Sequence, residues 1–182
     1  MSDTNLAMHY VSTRDEFREI LAKHDRFWFS NCGCRQGNEG GCKRSRMDVC
    51  LSFQTGVTSG GSGLHEASRA EVEAVLREAE EKHLVCRPFR DEARAETIGS
   101  CFCCDDCCGY FLNADEKCDK GALIELTKTE GCTDCGACVD VCYFKARKMV
   151  GDKLAVDRDK CYGCGLCRDV CPADCITMAP RT

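Results

Sequence analysis

The chain has 182 residues, of which 20 are cysteine, and carries a formal net charge of −5. So many cysteines indicate a scaffold held by covalent or metal bonds, because the 8 Phe, 4 Tyr and 1 Trp supply few aromatic residues for an ordinary core. The acidic balance argues against nucleic acid as a partner.

The beginning of the sequence has no basic segment followed by an apolar one, and no apolar run approaches the length of a membrane span. We therefore expect a cytoplasmic protein without membrane contact. In a reducing compartment, dense cysteine patterns indicate metal binding or redox chemistry rather than disulfides.

Two segments of the N-terminal half carry the capping-box pattern that precedes helices. Residues 13–16 (TRDE) predict a helix over about 13–26, and residues 68–71 (SRAE) predict one over about 69–83. The aromatic residues 27–29 (FWF) predict a buried strand or turn that would shield the cysteines that follow.

Nine cysteines of the N-terminal half form two groups, spaced C-x-C-x7-C-x7-C and C-x-C-C-x2-C-C. Neighbouring cysteines cannot all face one metal, because successive side chains diverge. We expect one or more additional [4Fe–4S] clusters or a structural zinc site here, with thiol redox chemistry as a third alternative. The candidate ligands are Cys32, Cys34, Cys42, Cys50, Cys101, Cys103, Cys104, Cys107 and Cys108.

The pairing of these ligands and the role of the nearby charges are open at this stage. Basic residues at 43, 44 and 46 are either a solvated run or an offset for thiolate charge or an anionic ligand. The isolated Cys86 and Cys118 are expected to be small packing residues. The first ligand set we predict for a third cluster is Cys32, Cys34 and Cys50 with one of Cys101, Cys103 or Cys104. The remaining Cys42, Cys107 and Cys108 would complete a second site.

Two four-cysteine runs near the C-terminus repeat at an offset of 29 residues. Three thiolates spaced two residues apart let one loop cover three irons of a cubane cluster, while the fourth binds the other cluster. We expect the fourth cysteine of each run to begin a helix, and Gly136 and Gly165 to permit the tight backbone of the loops. The runs are Cys132-x2-Cys135-x2-Cys138-x3-Cys142 and Cys161-x2-Cys164-x2-Cys167-x3-Cys171-Pro172.

Over roughly residues 129–180 these motifs resemble the bacterial two-cluster [4Fe–4S] ferredoxin family. The resemblance implies a pseudo-twofold fold and one-electron transfer at low potential. Tyr143 departs from the family pattern, which has the proline that Pro172 supplies in the second run. Paired C-x2-C segments also bind zinc, but two complete runs in tandem favour iron–sulfur clusters. Cluster one would be held by Cys132, Cys135, Cys138 and Cys171, and cluster two by Cys161, Cys164, Cys167 and Cys142.

Three strands are predicted around these runs. Residues 121–126 read as a strand, residues 149–156 as a hairpin around Gly-Asp, and residues 176–178 as a closing strand. Cys175 aligns with Ala146 in the repeat, so we interpret it as a packing residue.

The N-terminal half is also similar to a cysteine-rich module of ferredoxin-domain proteins from anaerobic and metabolically versatile bacteria. The matching segments are residues 32–35 (CGCR), 48–51 (DVCL) and 101–108 (CFCCDDCC). This resemblance implies an organisation of the chain and no defined chemistry.

The sequence thus predicts an α+β protein of two domains. Residues 1–120 would form a small, metal-dependent cysteine-rich domain, and residues 121–182 a pseudo-twofold ferredoxin-like domain with two [4Fe–4S] clusters. We expect an electron carrier, or an electron-transfer subunit, that passes single electrons through these clusters and at least one further N-terminal cluster to a low-potential enzyme.

The sequence gives less support to other functional classes. The chain has no Ser/His/Asp set, phosphate-binding loop or dinucleotide-binding glycine motif, so we expect no catalytic site of its own. The alternatives are a redox- or metal-responsive regulator and an enzyme with an unusual N-terminal cluster. Two clusters at −2 each would take the net charge from −5 to about −9. Because the acidic excess lies within residues 1–131, we expect a redox partner with a basic docking face.

Overall fold

The structure, a computed structural model, describes residues 6–113 and 115–181, and within them the chain mixes short helices with strands in three sheets. The strands are β1 (His9–Tyr10), β2 (Phe27–Ser30), β3 (Cys50–Ser52), β4 (His65–Ala67), β5 (Val85–Arg90), β6 (Thr97–Cys103), β7 (Cys118–Asp119), β8 (Leu123–Thr127), β9 (Arg147–Val150), β10 (Lys153–Val156) and β11 (Ile176–Pro180). The helices are α1 (Arg14–Leu21), α2 (Gly33–Gly37), α3 (Arg69–Glu81), α4 (Gly109–Leu112), α5 (Ala137–Asp140) and α6 (Leu166–Asp169). Among these helices, none combines the length and apolar composition that crossing a membrane requires.

The first seven strands form one sheet in the order β4-β2-β3-β6-β5-β1-β7. Neighbours are antiparallel except β1 and β7, which are parallel. The predicted aromatic segment lies in β2, whose residues are all buried. Strands β3 and β6 lie side by side and both carry cysteines, so the sheet register brings thiols distant in sequence together.

Both predicted capping boxes are confirmed, at Thr13 before α1 and at Ser68 before α3. Helix α1 ends at Leu21, earlier than predicted, because the amides of residues 23 and 24 bond to carbonyls three residues back and turn the chain toward β2. Helix α3 buries Val72, Val75 and the other apolar residues of its predicted face against the core.

The C-terminal part forms two small antiparallel sheets, β8 with β11 and β9 with β10. The predicted hairpin, the strand near residue 121 and the closing strand are confirmed. Elements recur at the 29-residue offset: α5 is followed by α6, and the 3-10 turn Thr129–Gly131 by Arg158–Lys160.

The prediction that each fourth cysteine begins a helix is wrong. Helices α5 and α6 contain the third cysteine of each run and end before the fourth. Gly136 and Gly165, with φ of +80° and +81°, precede the two helices as their N-caps. Glycine adopts this left-handed conformation readily, so each helix begins directly after the glycine rather than at the fourth cysteine.

One core joins the two predicted domains. Val141 and Leu166 of the cysteine runs pack in the same buried cluster as Phe17 of α1. Arg14 forms an ion pair with Asp169 of α6, with side chains only 7% and 19% exposed. The sheets thus divide near residue 120, whereas the packing continues across that boundary.

Candidate metal centres

One cavity of the C-terminal part lies between the two cysteine runs. Three cysteines of the first run and the last cysteine of the second run line it, with Leu154 and Ile176 among the apolar walls. Cys138 is buried and Cys135 exposed, so one side of the cavity lies close to the surface. The four cysteines are Cys132, Cys135, Cys138 and Cys171.

A second cavity reverses this arrangement, because three cysteines of the second run and the last cysteine of the first run line it. Burial raises the pKa of the Cys167 thiol to about 12 and that of Cys164 further. Gly163 has a φ of +80°, and a Cβ there would lie 2.1 Å from the carbonyl oxygen of Leu123, so the loop wraps too closely for a side chain. The lining cysteines are Cys142, Cys161, Cys164 and Cys167.

A buried ion pair lies between the two cavities. Arg147 Nη1 donates to Cys138 Sγ at 3.3 Å, and Arg147 Nη2 donates to Glu125, each side chain of the pair being 1% exposed. Both residues line the second cavity, whereas Cys138 lines the first. Burial acts to lower the pKa of Arg147, but the Cys167 thiolate and the Glu125 carboxylate outweigh it and the pKa rises. A fixed positive charge is thereby held between two sets of thiols.

The donor sets fit iron–sulfur clusters, because clusters are held by cysteine thiolates and each cavity is lined by four thiols. Residues 131–175 match the family model of the 4Fe-4S dicluster domain. The chain carries a 4Fe-4S ferredoxin-type domain. No curated protein matches the chain. This dicluster domain and the abundance of cysteine indicate an iron–sulfur electron-transfer protein.

Tyr143, at the position of the expected proline, links the dicluster domain to the N-terminal cysteines. Its ring is buried, lies 5.8 Å from that of Phe111, and its hydroxyl accepts a 3.0 Å hydrogen bond from Arg44 Nη1. Arg44 also pairs with Asp105 at 2.8 Å, in the second N-terminal cysteine group. Burial raises the pKa of Tyr143 to about 12, so its hydroxyl keeps its proton near neutral pH.

The N-terminal thiols divide into two sets, and cysteines that are adjacent in sequence belong to different sets. Cys103 and Cys104 belong to different buried clusters, and so do Cys107 and Cys108. The first set, here called the Arg87 group, consists of Cys34, Cys50, Cys101, Cys103 and Cys108. The second set, here called the cysteine trio, consists of Cys42, Cys104 and Cys107.

Arg87 contacts two cysteines of the first set, Cys103 and Cys108. It is 2% exposed, and its Nη1 donates to Cys108 Sγ at 3.0 Å while its Nη2 pairs with Glu116 at 2.7 Å. Hydrogen bonds from Cys101 and Cys108, together with the charge of Arg87, hold the pKa of Cys103 well below its usual value. A buried guanidinium therefore favours thiolates in this set.

Arg87 and His9 were not singled out from the sequence. Arg87 follows Cys86 on β5 and lies opposite Cys101 of β6 in the register, while His9 Nε2 lies 3.9 Å from Cys101 Sγ. Burial lowers the pKa of His9, and Arg87 adds to the shift. The sequence signal that could have identified Arg87 is an arginine next to a cysteine. Which cysteines its side chain faces, however, depends on the strand pairing.

The trio differs from the ligand sets predicted. Cys104 lies with Cys42 and Cys107, and Cys108 lies in the Arg87 group. Cys34 and Cys50 do lie with Cys101 and Cys103. Cys32 packs in the core cluster that contains the trio, but it hydrogen-bonds with Cys34 and so adjoins the first set as predicted. Cys86 and Cys118 lie in neither set, and burial raises their pKa values to about 12 and about 11.

Proposed function

We propose that this protein is an electron carrier, or an electron-transfer subunit, that passes single electrons through two [4Fe–4S] clusters. The proposal is supported by the way the two runs share their cysteines between two cavities, the ligand exchange typical of two-cluster ferredoxins. Cluster one would be held by Cys132, Cys135, Cys138 and Cys171. Cluster two would be held by Cys161, Cys164, Cys167 and Cys142.

The fold we propose for this part is the pseudo-twofold bacterial ferredoxin fold. The 29-residue recurrence of helices and turns supports it, since exchanging the two halves maps β8 onto β10 and β11 onto β9. The same exchange maps the sheet β8·β11 onto the sheet β9·β10. A duplicated half would therefore surround each cluster with equivalent backbone.

The clusters, when bound, supply reversible one-electron chemistry, and the side chains around them influence how strongly the reduced state is favoured. Arg147 donates a hydrogen bond to Cys138 and places positive charge beside Cys167, which favours the reduced state of either cluster. Exposed Cys135 brings cluster one near the surface, where a partner could exchange electrons. Tyr143 follows the cluster-two cysteine Cys142 and accepts a hydrogen bond from Arg44, so it would connect cluster two to the N-terminal half.

We place the further N-terminal cluster expected from the sequence in the Arg87 group. Its five cysteines are enough for four ligands, and Arg87 would offset part of their charge. Such a cluster would extend the electron path into the acidic half, where a basic partner would dock. We propose no catalytic site for the chain itself, and its cytoplasmic location stays a prediction.

A stepwise redox titration under oxygen-free conditions tests this function. Protein purified without oxygen should take up at least about two electrons per chain at low potential, because each cubane cluster accepts one. Its visible absorbance should bleach on reduction and return on reoxidation. Irreversible bleaching, or no uptake of electrons, would contradict electron carriage.

A further inference from the structure

The cysteine trio converges on a point rather than surrounding a cavity. Cys104 Sγ lies 3.6 Å from Cys42 Sγ and 3.7 Å from Cys107 Sγ. All three sulfur atoms lie within 4.8 Å of one another, and in the part of the chain that the structure describes no other group of potential metal ligands does so.

This spacing fits a single ion. Thiolates bound at about 2.3 Å to one tetrahedral zinc ion stand about 3.8 Å apart. Thiolates of a cubane cluster bind different irons and must stand farther apart. The eight cysteines of the dicluster domain follow the second pattern, since among the described residues no three of them bring their sulfur atoms within 4.8 Å of one another.

The charge around the trio also fits a single divalent ion. Arg35 lies beside Cys107, is 1% exposed, and is fixed by a 2.9 Å hydrogen bond from its Nη2 to the carbonyl oxygen of Phe102. Three thiolates, one divalent cation and one guanidinium sum to zero charge. Buried charges are tolerated when they are balanced in this way.

The two loops that supply the trio are tied together by contacts that need no metal. The amide of Lys43 donates to Asp106 Oδ2 at 2.8 Å, and Arg44 pairs with Asp105 at 2.8 Å. Cys104 and Cys107 also have the C-x2-C spacing common in zinc sites. The loops therefore hold the three sulfur atoms in position before an ion binds.

We propose that Cys42, Cys104 and Cys107 supply three ligands of one tetrahedral Zn²⁺ ion, whose fourth position is filled by a neutral water molecule. The ion fastens the loop that carries Cys42 to the cysteine-rich segment after β6. It is redox-silent and structural, and its presence is independent of electron transfer through the dicluster domain.

The test is zinc binding by the full chain with its iron–sulfur clusters loaded, so that the cluster cysteines are already occupied. With Zn²⁺ added and then dialysed, the wild-type protein should retain about one zinc, and zinc-edge X-ray absorption should show sulfur at about 2.3 Å. Cys42→Ser, Cys104→Ser and Cys107→Ser should each lose it. The loss in affinity should exceed the roughly 10–100-fold seen when only a ligand's hydrogen-bond partner is removed.

Cys118→Ser is the matched control, a cysteine of the same half outside the trio, and it should keep zinc. The iron content of every sample is also measured. Retained iron shows that the variant still folds, and it distinguishes failure of the zinc proposal from failure of the proposed electron transfer. Retention of zinc in all three trio variants, or no zinc in the wild-type protein, would overturn the proposal. Loss of iron instead of zinc would assign the trio to an iron–sulfur cluster and would also overturn it.

Discussion

Replacing either Cys135 or Cys164 with serine is expected to lower the iron content by about four per chain, because each thiolate holds one corner of a four-iron cluster. Cys135 lines the first cavity and Cys164 the second, so the two variants should lose different clusters. Iron, acid-labile sulfide and visible absorbance on protein purified without oxygen measure the loss.

Cys175→Ala is the matched control for these variants. Cys175 also lines the first cavity, is buried, and has its Sγ 3.5 Å from that of Cys171. Because it aligns with Ala146 in the repeat, we expect the variant to keep its full iron. If Cys175→Ala lost about four irons while Cys135→Ser kept them, cluster one would have a different ligand set.

Arg147→Met is expected to destabilise the protein by about 3–5 kcal/mol, because it leaves the Glu125 carboxylate buried without its partner. It should also lower the reduction potentials, since it removes a positive charge that favours the reduced clusters. Urea-dependent bleaching without oxygen measures the stability, and dye titration measures the potentials.

Arg158→Met is the control that distinguishes loss of the buried Arg147–Glu125 pair from the general effect of removing a positive charge. Arg158 Nε lies 3.1 Å from the same Glu125 carboxylate, but its side chain is 49% exposed. Exposed pairs contribute about 0–1 kcal/mol, so this variant should be nearly as stable as the wild-type protein. Equal losses in both variants would show that Arg147 has no special place between the clusters.

The features that could be predicted from the sequence are those with a local cause. The cysteine spacing of the two runs, the two capping boxes and the Gly-Asp hairpin each depend on residues within a few positions of one another. The structure contains both capping boxes and the hairpin. Element boundaries differ from the prediction where a tertiary contact intervenes, as where α1 ends before β2. The helix expected at Cys142 and Cys171 failed because the glycine before the third cysteine turns the chain earlier.

The N-terminal site could not be derived in the same way. In β5 the adjacent Cys86 and Arg87 break the alternation of apolar and polar residues, and Pro88 lies inside the strand, so β5 lacks the usual signal of a strand. The division of neighbouring cysteines was foreseen from side-chain direction. Their partners were not, because the pairing of Arg87 with Cys101 depends on sheet register.

We propose that the C-terminal runs hold two four-iron clusters. The most direct measurement is iron, acid-labile sulfide and zinc per chain in protein purified without oxygen. We expect at least about eight irons per chain with matching sulfide. About four irons, or zinc in place of iron with no sulfide, would contradict it.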